Sequence, residues 1–301
     1  MHRALEKIIN KAGVPELVDL LAERLSNGEL TSLLLEVYRR RTEQLKPAQL
    51  LARLNQNRFV HPAQVDPIRL RKAELAVFEL ASAAGFTPVE LSPLAPLGTS
   101  AAYGKVNQNN VLSALRGCEL VSDPSSLMAL LMTEQLAFEG SEALHWVSSQ
   151  RTVRASQVQG PGMMSHFQLL AFCSLQRSMV PEALIVTALR HLELQKQIFT
   201  HFGCEDIRFH VRRKGKKPFL ADRLLAYLDR SGEFAYQVET ESGSDYYEGV
   251  QVKSFARTPA GLFELGDCGF VSWARELKSD AARNCFISGI GLERLLLEPQ
   301  T

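Results

Sequence analysis

Arginine is the residue type here best suited to do chemistry, and it recurs where the backbone could present it. Arg294 follows the apolar run Cys285-Phe286-Ile287 and the triplet Gly289-Ile290-Gly291. The run reads as a buried strand and the glycines as a tight turn that permits close backbone approach. Leu292, Leu295 and Leu296 then share one face of a helix starting at that turn. Arg294 would lie one turn into the helix near the mouth of a sheet; the alternative is a solvated arginine on a C-terminal core helix. Arg151 and Arg154 lie on a second strand, read over 144–158, and Gly160-Pro161-Gly162 separates it from the run Ser165 to Phe172. A guanidinium's planar fork makes paired, charge-assisted bonds to phosphate oxygens. Arg39-Arg40-Arg41 and the cluster Arg212 to Lys217 could also meet a phosphate backbone. The first reads more simply as a solvated helix end and the second as a solvated hairpin tip.

Other polar groups fall between predicted elements. Asp123 in Val121-Ser122-Asp123-Pro124 is placed to cap a helix carrying Leu127, Leu130 and Leu131. Ser92-Pro93-Leu94-Ala95-Pro96 cannot be a regular element, because its two prolines remove donors and fix the backbone. The Lys105 to Asn110 stretch that follows is rich in side-chain amides, which suit turns or polar ligands. Asn107, Gln108 and Arg116 are kept as candidates because a long loop ahead of a core strand is often a site loop. His166 is read as a hydrogen-bonded strand histidine, with ligand binding as the alternative.

The elements that must position these groups follow from pattern and composition. With 301 residues, 46% hydrophobic and 22% charged, the chain should bury a sizeable core. A formal net charge of +1 gives no global pull toward nucleic acid. Five scattered cysteines, with no CxxC, indicate neither a zinc site nor a disulfide framework, and reduced thiols in the cytosol fit best. No metal site is expected. No apolar run is long enough to span a membrane, and the first residues lack a signal-peptide pattern. Residues 1–62 read as a small helical module whose leucine stripes must bury against each other or against the remainder, with Asn27-Gly28 as a helix stop. The core domain is then 63–301. Asp66-Pro67 opens a helix that ends at Gly85. Pro181 opens a long helix ending at Gly203, and the last third alternates as strands: Phe234–Val238, Val250–Phe255, Leu262–Leu265 and Phe270–Trp273.

Three stretches, in order across 68–297, carry a resemblance to a known family. Gly-Ile-Gly-Leu-Glu-Arg-Leu-Leu-Leu, 289–297, resembles motif 3 of class II aminoacyl-tRNA synthetases, particularly histidyl-tRNA synthetase. The Arg154 strand, its loop and the following strand with Gln168 resemble motif 2, and the helix before Gly85-Phe86 with its extended segment resembles motif 1. Ser242-Gly243-Ser244-Asp245-Tyr246-Tyr247 stands where histidyl-tRNA synthetases have Arg-Gly-Leu-Asp-Tyr-Tyr. The resemblance implies an α+β fold, a mostly antiparallel sheet flanked by helices, with motif 1 at a homodimer interface. It implies an ATP site, with Mg2+ as an optional companion, at Arg154, Arg294, Gly289 and Gly291. It also implies a small-molecule pocket around Asp123, Gln168, Asp245, Tyr246 and Tyr247, to which Asn107 and Arg116 of the preceding loop are added.

The chain departs from the pattern in informative ways. The motif 2 arginine is followed by Ala155-Ser156 where the family has Arg-x-Glu, and Ser242 replaces the pocket arginine, a transition-state role serine cannot fill. Gly266-Asp267-Cys268-Gly269 stands where the family has Gly-Gly-Arg-Tyr. Four residues follow Leu297, so a C-terminal anticodon-binding domain is not expected. The favoured reading is a histidyl-tRNA synthetase-like, cytoplasmic protein that binds a nucleotide or amino-acid-like small molecule and does not ligate histidine to tRNA. A regulatory role with a protein partner has its precedent in the ATP phosphoribosyltransferase regulatory subunit. The alternatives are an ATP-dependent adenylate-forming ligase and an RNA-binding paralogue.

Overall fold

The structure, a computed structural model, describes residues 2–139, 143–155, 164–215, 217–240 and 246–298. It begins with α1 (His2–Ala12), α2 (Leu17–Asp19), which continues as a π-turn, α3 (Asn27–Glu43) and α4 (Pro47–Gln56). Asn27-Gly28 starts α3 rather than stopping the helix before it. Ser26 and Glu29 form a capping box: the Ser26 hydroxyl accepts from the Glu29 N–H, and the Glu29 carboxylate accepts from the Ser26 N–H at 2.8 Å. Two satisfied backbone donors outweigh the turn preference of Asn-Gly. The basic triplet is tied to its own helix, with Arg39 and Arg40 each 2.7 Å from Glu36. The leucine stripes do not bury as expected. Among the described residues none of α2, α3 or α4 is buried, and Leu51 is 68% exposed.

The core starts at α5 (Pro67–Ala83), where the Asp66 carboxylate accepts from Ile68 N–H at 2.8 Å. Gly85, at φ +84°, turns the chain into β1 (Thr87–Pro88). The proline-rich loop is more regular than its sequence suggests. β2 (Leu94–Pro96) and β3 (Ser113–Ala114) flank β4 (Cys118–Leu120) in a three-stranded sheet, with α6 (Thr99–Ala102) between them. Proline is tolerated in β2 because that strand is an edge. α7 (Pro124–Glu139) follows.

The main sheet is built from β5 (Ala143–Val153), β6 (His166–Arg177), β7 (Glu205–Lys214), β8 (Tyr236–Glu239), β9 (Glu248–Thr258), β10 (Gly261–Val271) and β11 (Arg283–Gly291), joined by β1. Its order is β1-β5-β6-β11-β10-β9-β7-β8. The six central strands are antiparallel, and β1 and β8 add in parallel at the two edges. The two strands read over 262–273 are one: β10 runs unbroken through a register shift between Glu264 and Gly266, and Trp273 belongs to α10 (Trp273–Lys278). Strand alternation assigns the two faces. Ala171, Cys173, Leu175, Cys285 and Ile287 pack with Met128 and Met132 of α7. Leu170, Phe172 and Ile290 pack under α5 and α8 (Pro181–His201).

The 212–217 cluster is not a hairpin tip. β7 leads directly into α9 (Phe219–Ser231), Arg212 pairs with Glu239, and Arg213 lies 2.8 Å from Asp222. Burial, with Arg275 adding to it, pushes the Lys217 ammonium below its usual range. Lys216 lies outside the described residues. All five cysteines are free thiols.

Candidate functional site

A cleft of about 570 Å³ opens above the α7 face of the sheet, over β6, β11, β10 and β9. Arginines from two distant stretches meet there. Arg154 follows β5; its Nε donates to the Ser122 carbonyl at 3.0 Å, and its guanidinium lies 5.1 Å from the centre of the Phe167 ring. Arg294 belongs to α11 (Leu292–Leu295), and its Nη1 donates to the Glu264 carbonyl at 2.8 Å. Both line the cleft.

A second group of lining residues forms two hydrogen-bonded sets side by side. Asp123 caps α7, accepting from Ser125 N–H at 3.0 Å, and its other oxygen accepts from the Tyr246 hydroxyl at 2.9 Å. Capping and cleft lining are therefore compatible roles for this carboxylate. Tyr247 donates to Asp267, and Gln251 donates to the second Asp267 oxygen at 2.9 Å. The two tyrosine rings meet edge to face at 4.8 Å. Burial pushes both phenols well above their usual range, and the adjacent carboxylates reinforce the shift. They stay neutral donors. Burial also raises Asp267, against the bonds from Tyr247 and Gln251.

Gly289 and Gly291 line the cleft but make no turn. Both lie within the last three residues of β11, and neither has a positive φ. A Cβ at Gly289 would reach Leu169 at an ordinary 3.5 Å, so the absent side chain leaves cleft volume free rather than relieving a clash.

Several expected site residues lie elsewhere. Gln168 points away from the cleft, as the residue between the lining Phe167 and Leu169 must on a strand. Its Nε2 donates to Glu74 at 2.7 Å and to Ser149 at 3.0 Å. Glu74 is buried and also accepts from Ser149 at 2.6 Å, with Arg71 on its other oxygen. Glu74→Ala should therefore cost about 1–3 kcal/mol in urea unfolding, leaving two buried donors without their acceptor. Asn107 is not among the lining residues; its side chain accepts from Asn109 N–H at 2.9 Å, while its neighbours Val106 and Asn110 do line the cleft. Gln108 turns to Glu119 at 3.0 Å. Arg116 sits in the turn ahead of β4, at φ +69°, outside the lining. Asp245 lies outside the described residues. Arg151 is bound to Glu293 at 2.9 Å rather than presented to the cleft.

Sequence reading missed Gln251, Glu264, Asp267 and Glu293. Their signal is faint: charged or amide residues in or beside runs that read as core strands or helix.

The antiparallel sheet flanked by helices, with the helix–strand corner at its edge, has the class II aminoacyl-tRNA synthetase fold. Solved structures agree. Apo histidyl-tRNA synthetase of Staphylococcus aureus superposes with a TM-score of 0.60 at 13% identity, covering 78% of this chain and 67% of that one. A Bacillus halodurans protein described as an ATP phosphoribosyltransferase regulatory subunit/histidyl-tRNA synthetase gives 0.63 at 11%, covering 80% and 82%. A histidine–tRNA ligase subunit from Alicyclobacillus acidocaldarius gives 0.62 at 12%, covering 80% and 96%. No protein-family model and no curated protein sequence matches the chain. Among the described residues no helix is long and apolar enough to cross a membrane.

Proposed function

We propose that this chain is a histidyl-tRNA synthetase-like core that binds a nucleotide and an amino-acid-like small molecule in the cleft, and that it does not ligate histidine to tRNA. One observation carries the reading: Arg154 and Arg294 face the same cleft as the Tyr246–Asp123 and Tyr247–Asp267 pairs. Guanidinium groups suit phosphate or carboxylate, and the half-buried carboxylates suit an ammonium. Together they suit a zwitterion beside a nucleotide. Against histidine ligation stand Ser156 and Ser242, at the positions of the motif 2 glutamate and the pocket arginine. The ligand is ATP on this reading. Mg2+ would arrive with the phosphates, since both oxygens of Glu293 and of Asp267 already hold protein donors. Assembly as a homodimer through α5 and β1 belongs to the same proposal. There β1 is a sheet edge, and Ile68 and Leu75 of α5 are 67% and 59% exposed. A regulatory role would add a protein partner.

Calorimetry with Mg-ATP and pyrophosphate exchange with pooled amino acids test the reading together. Arg154→Ala and Arg294→Ala should each weaken Mg-ATP binding at least about tenfold, the worth of one charge-assisted contact. Exchange in the wild type that both variants lose would establish the adenylate-forming alternative. Wild type that neither binds Mg-ATP nor exchanges, beside an active synthetase control, would remove the nucleotide from the proposal.

A further inference from the structure

The linker between α4 and α5 touches both arginine arms of the cleft. On one side, Arg58 Nη2 donates to the Ala155 carbonyl at 2.5 Å, one residue past Arg154. On the other, the His61 carbonyl lies 2.6 Å from His166 Nε2. A carbonyl only accepts, so Nε2 carries the proton, and the Nδ1 of the neutral ring accepts from Arg151 Nη1 at 3.1 Å. Arg151 Nη2 donates to Glu293 Oε1 at 2.9 Å, and Glu293 Oε2 accepts from Gln168 N–H at 2.6 Å. Glu293 lines the cleft and immediately precedes Arg294. An unbroken set of hydrogen bonds thus runs from the linker backbone through His166, Arg151 and Glu293 to the first turn of α11, where Arg294 is set.

The geometry points to His166 as a positioning residue that ties residues 57–62 to the Arg294 side of the cleft, so that linker docking and phosphate binding favour each other. Arg151, rather than being a second phosphate contact, holds the Glu293 carboxylate. The connection is continuous only while every member is in place: a linker that leaves takes the acceptor that orients His166, and with it the ring that holds Arg151 toward Glu293. Coupling of this kind is reciprocal, so a ligand that fixes Arg154 and Arg294 also holds the linker, and with it α1–α4. The affinity part rests on the proposed nucleotide site; the connection itself does not.

The test uses the full chain, with Mg-ATP as the probe and amide hydrogen exchange as a second readout. His166→Ala should raise exchange in both 57–62 and 291–297 and weaken Mg-ATP roughly five- to tenfold, within the usual range of coupling between sites. Arg151→Gln should do the same, and the double variant should be no worse than either, since both break one connection. His166→Gln should recover most of the loss, because its amide can donate to the His61 carbonyl and accept from Arg151. Increased exchange in 57–62 alone, with 291–297 and Mg-ATP affinity unchanged, would overturn the proposal by reducing His166 to a local anchor. Should wild type bind no Mg-ATP, the nucleotide reading falls and exchange in 291–297 of the free protein decides the connection by itself.

Discussion

Glu119→Ala is expected to destabilise the protein by about 3–5 kcal/mol and to loosen the wall of the cleft. Glu119 belongs to β4 and is fully buried. One carboxylate oxygen accepts from Gly98 N–H at 2.8 Å and Gln108 Nε2 at 3.0 Å; the other accepts from Ser100 N–H at 2.8 Å. Burial alone would raise this carboxyl, but the bonds from Gln108, Gly98 and Ser100 together hold it below the usual range. Each buried N–H stripped of its acceptor costs about 1–3 kcal/mol, so two such donors with the lost Gln108 bond come to roughly 3–5 kcal/mol. Alanine removes three bonds and leaves two backbone donors with no acceptor. The consequence reaches the site because the Asn110 carbonyl, in the same loop, accepts from Ala155 N–H at 3.0 Å, and Val106 and Asn110 line the cleft. Urea unfolding at neutral pH and limited proteolysis across 97–112 measure both effects. Glu119→Gln, which keeps one acceptor, should fall between wild type and alanine. A loss below about 1 kcal/mol with an unchanged cleavage pattern would show that the loop does not hang on this carboxylate.

Glu119 also shows where sequence reading stops. The stretch 92–117 was legible as a special loop from its prolines and amides, yet nothing local names a glutamate in a short strand as the group that holds it. The partners lie 11 to 21 residues away. The fold class was legible because its determinants are local and periodic: the Asp66-Pro67 cap, Gly85, the long Pro181 helix and alternating strands. Arg154, Arg294, Asp123 and the two tyrosines, singled out through their motifs, do line one cleft. Gln168 was misplaced because its face depends on the register of β6 with β5 and β11, which a lone sequence does not fix. Asp267 was passed over because β10 was read as two strands with a loop between them. Continuous, with a shift at Glu264/Gly266, it brings Asp267 into reach of Tyr247 and Gln251.

His145 and His191 should together lower stability by roughly 4 kcal/mol between pH 7 and pH 5, about half of it through His191. Behind the sheet, His145 Nδ1 and His191 Nε2 each share a 2.7 Å hydrogen bond with the Ser174 hydroxyl, and His191 Nδ1 shares another with Ser288 at 2.7 Å. Phe86 packs edge-on to both rings, and Phe286 to His191. Burial, with Arg190 adding repulsion, lowers His145 to about 4; burial lowers His191 well below its usual value, with His145 and Arg190 reinforcing it. Both pKa values are depressed on folding, so between pH 4 and about 6.5 the unfolded chain binds more protons than the folded one, and stability rises with pH. The contribution is complete above the unfolded value near 6.5 and is lost as pH falls below it. Each group that stays neutral when folded gives up about 2 kcal/mol between pH 7 and 5 by this linkage. His191→Gln keeps a side chain able to bridge Ser174 and Ser288 but removes the titration. Its stability at pH 7 should be lower than wild type, while its loss between pH 7 and 5 should shrink by about 2 kcal/mol. Urea unfolding of both proteins at the two pH values measures the difference, in which carboxylate titrations common to both cancel. Equal losses in the two proteins would mean that the folded state accepts a proton on His191, and that the Ser174 and Ser288 hydroxyls hold an imidazolium as readily as an imidazole.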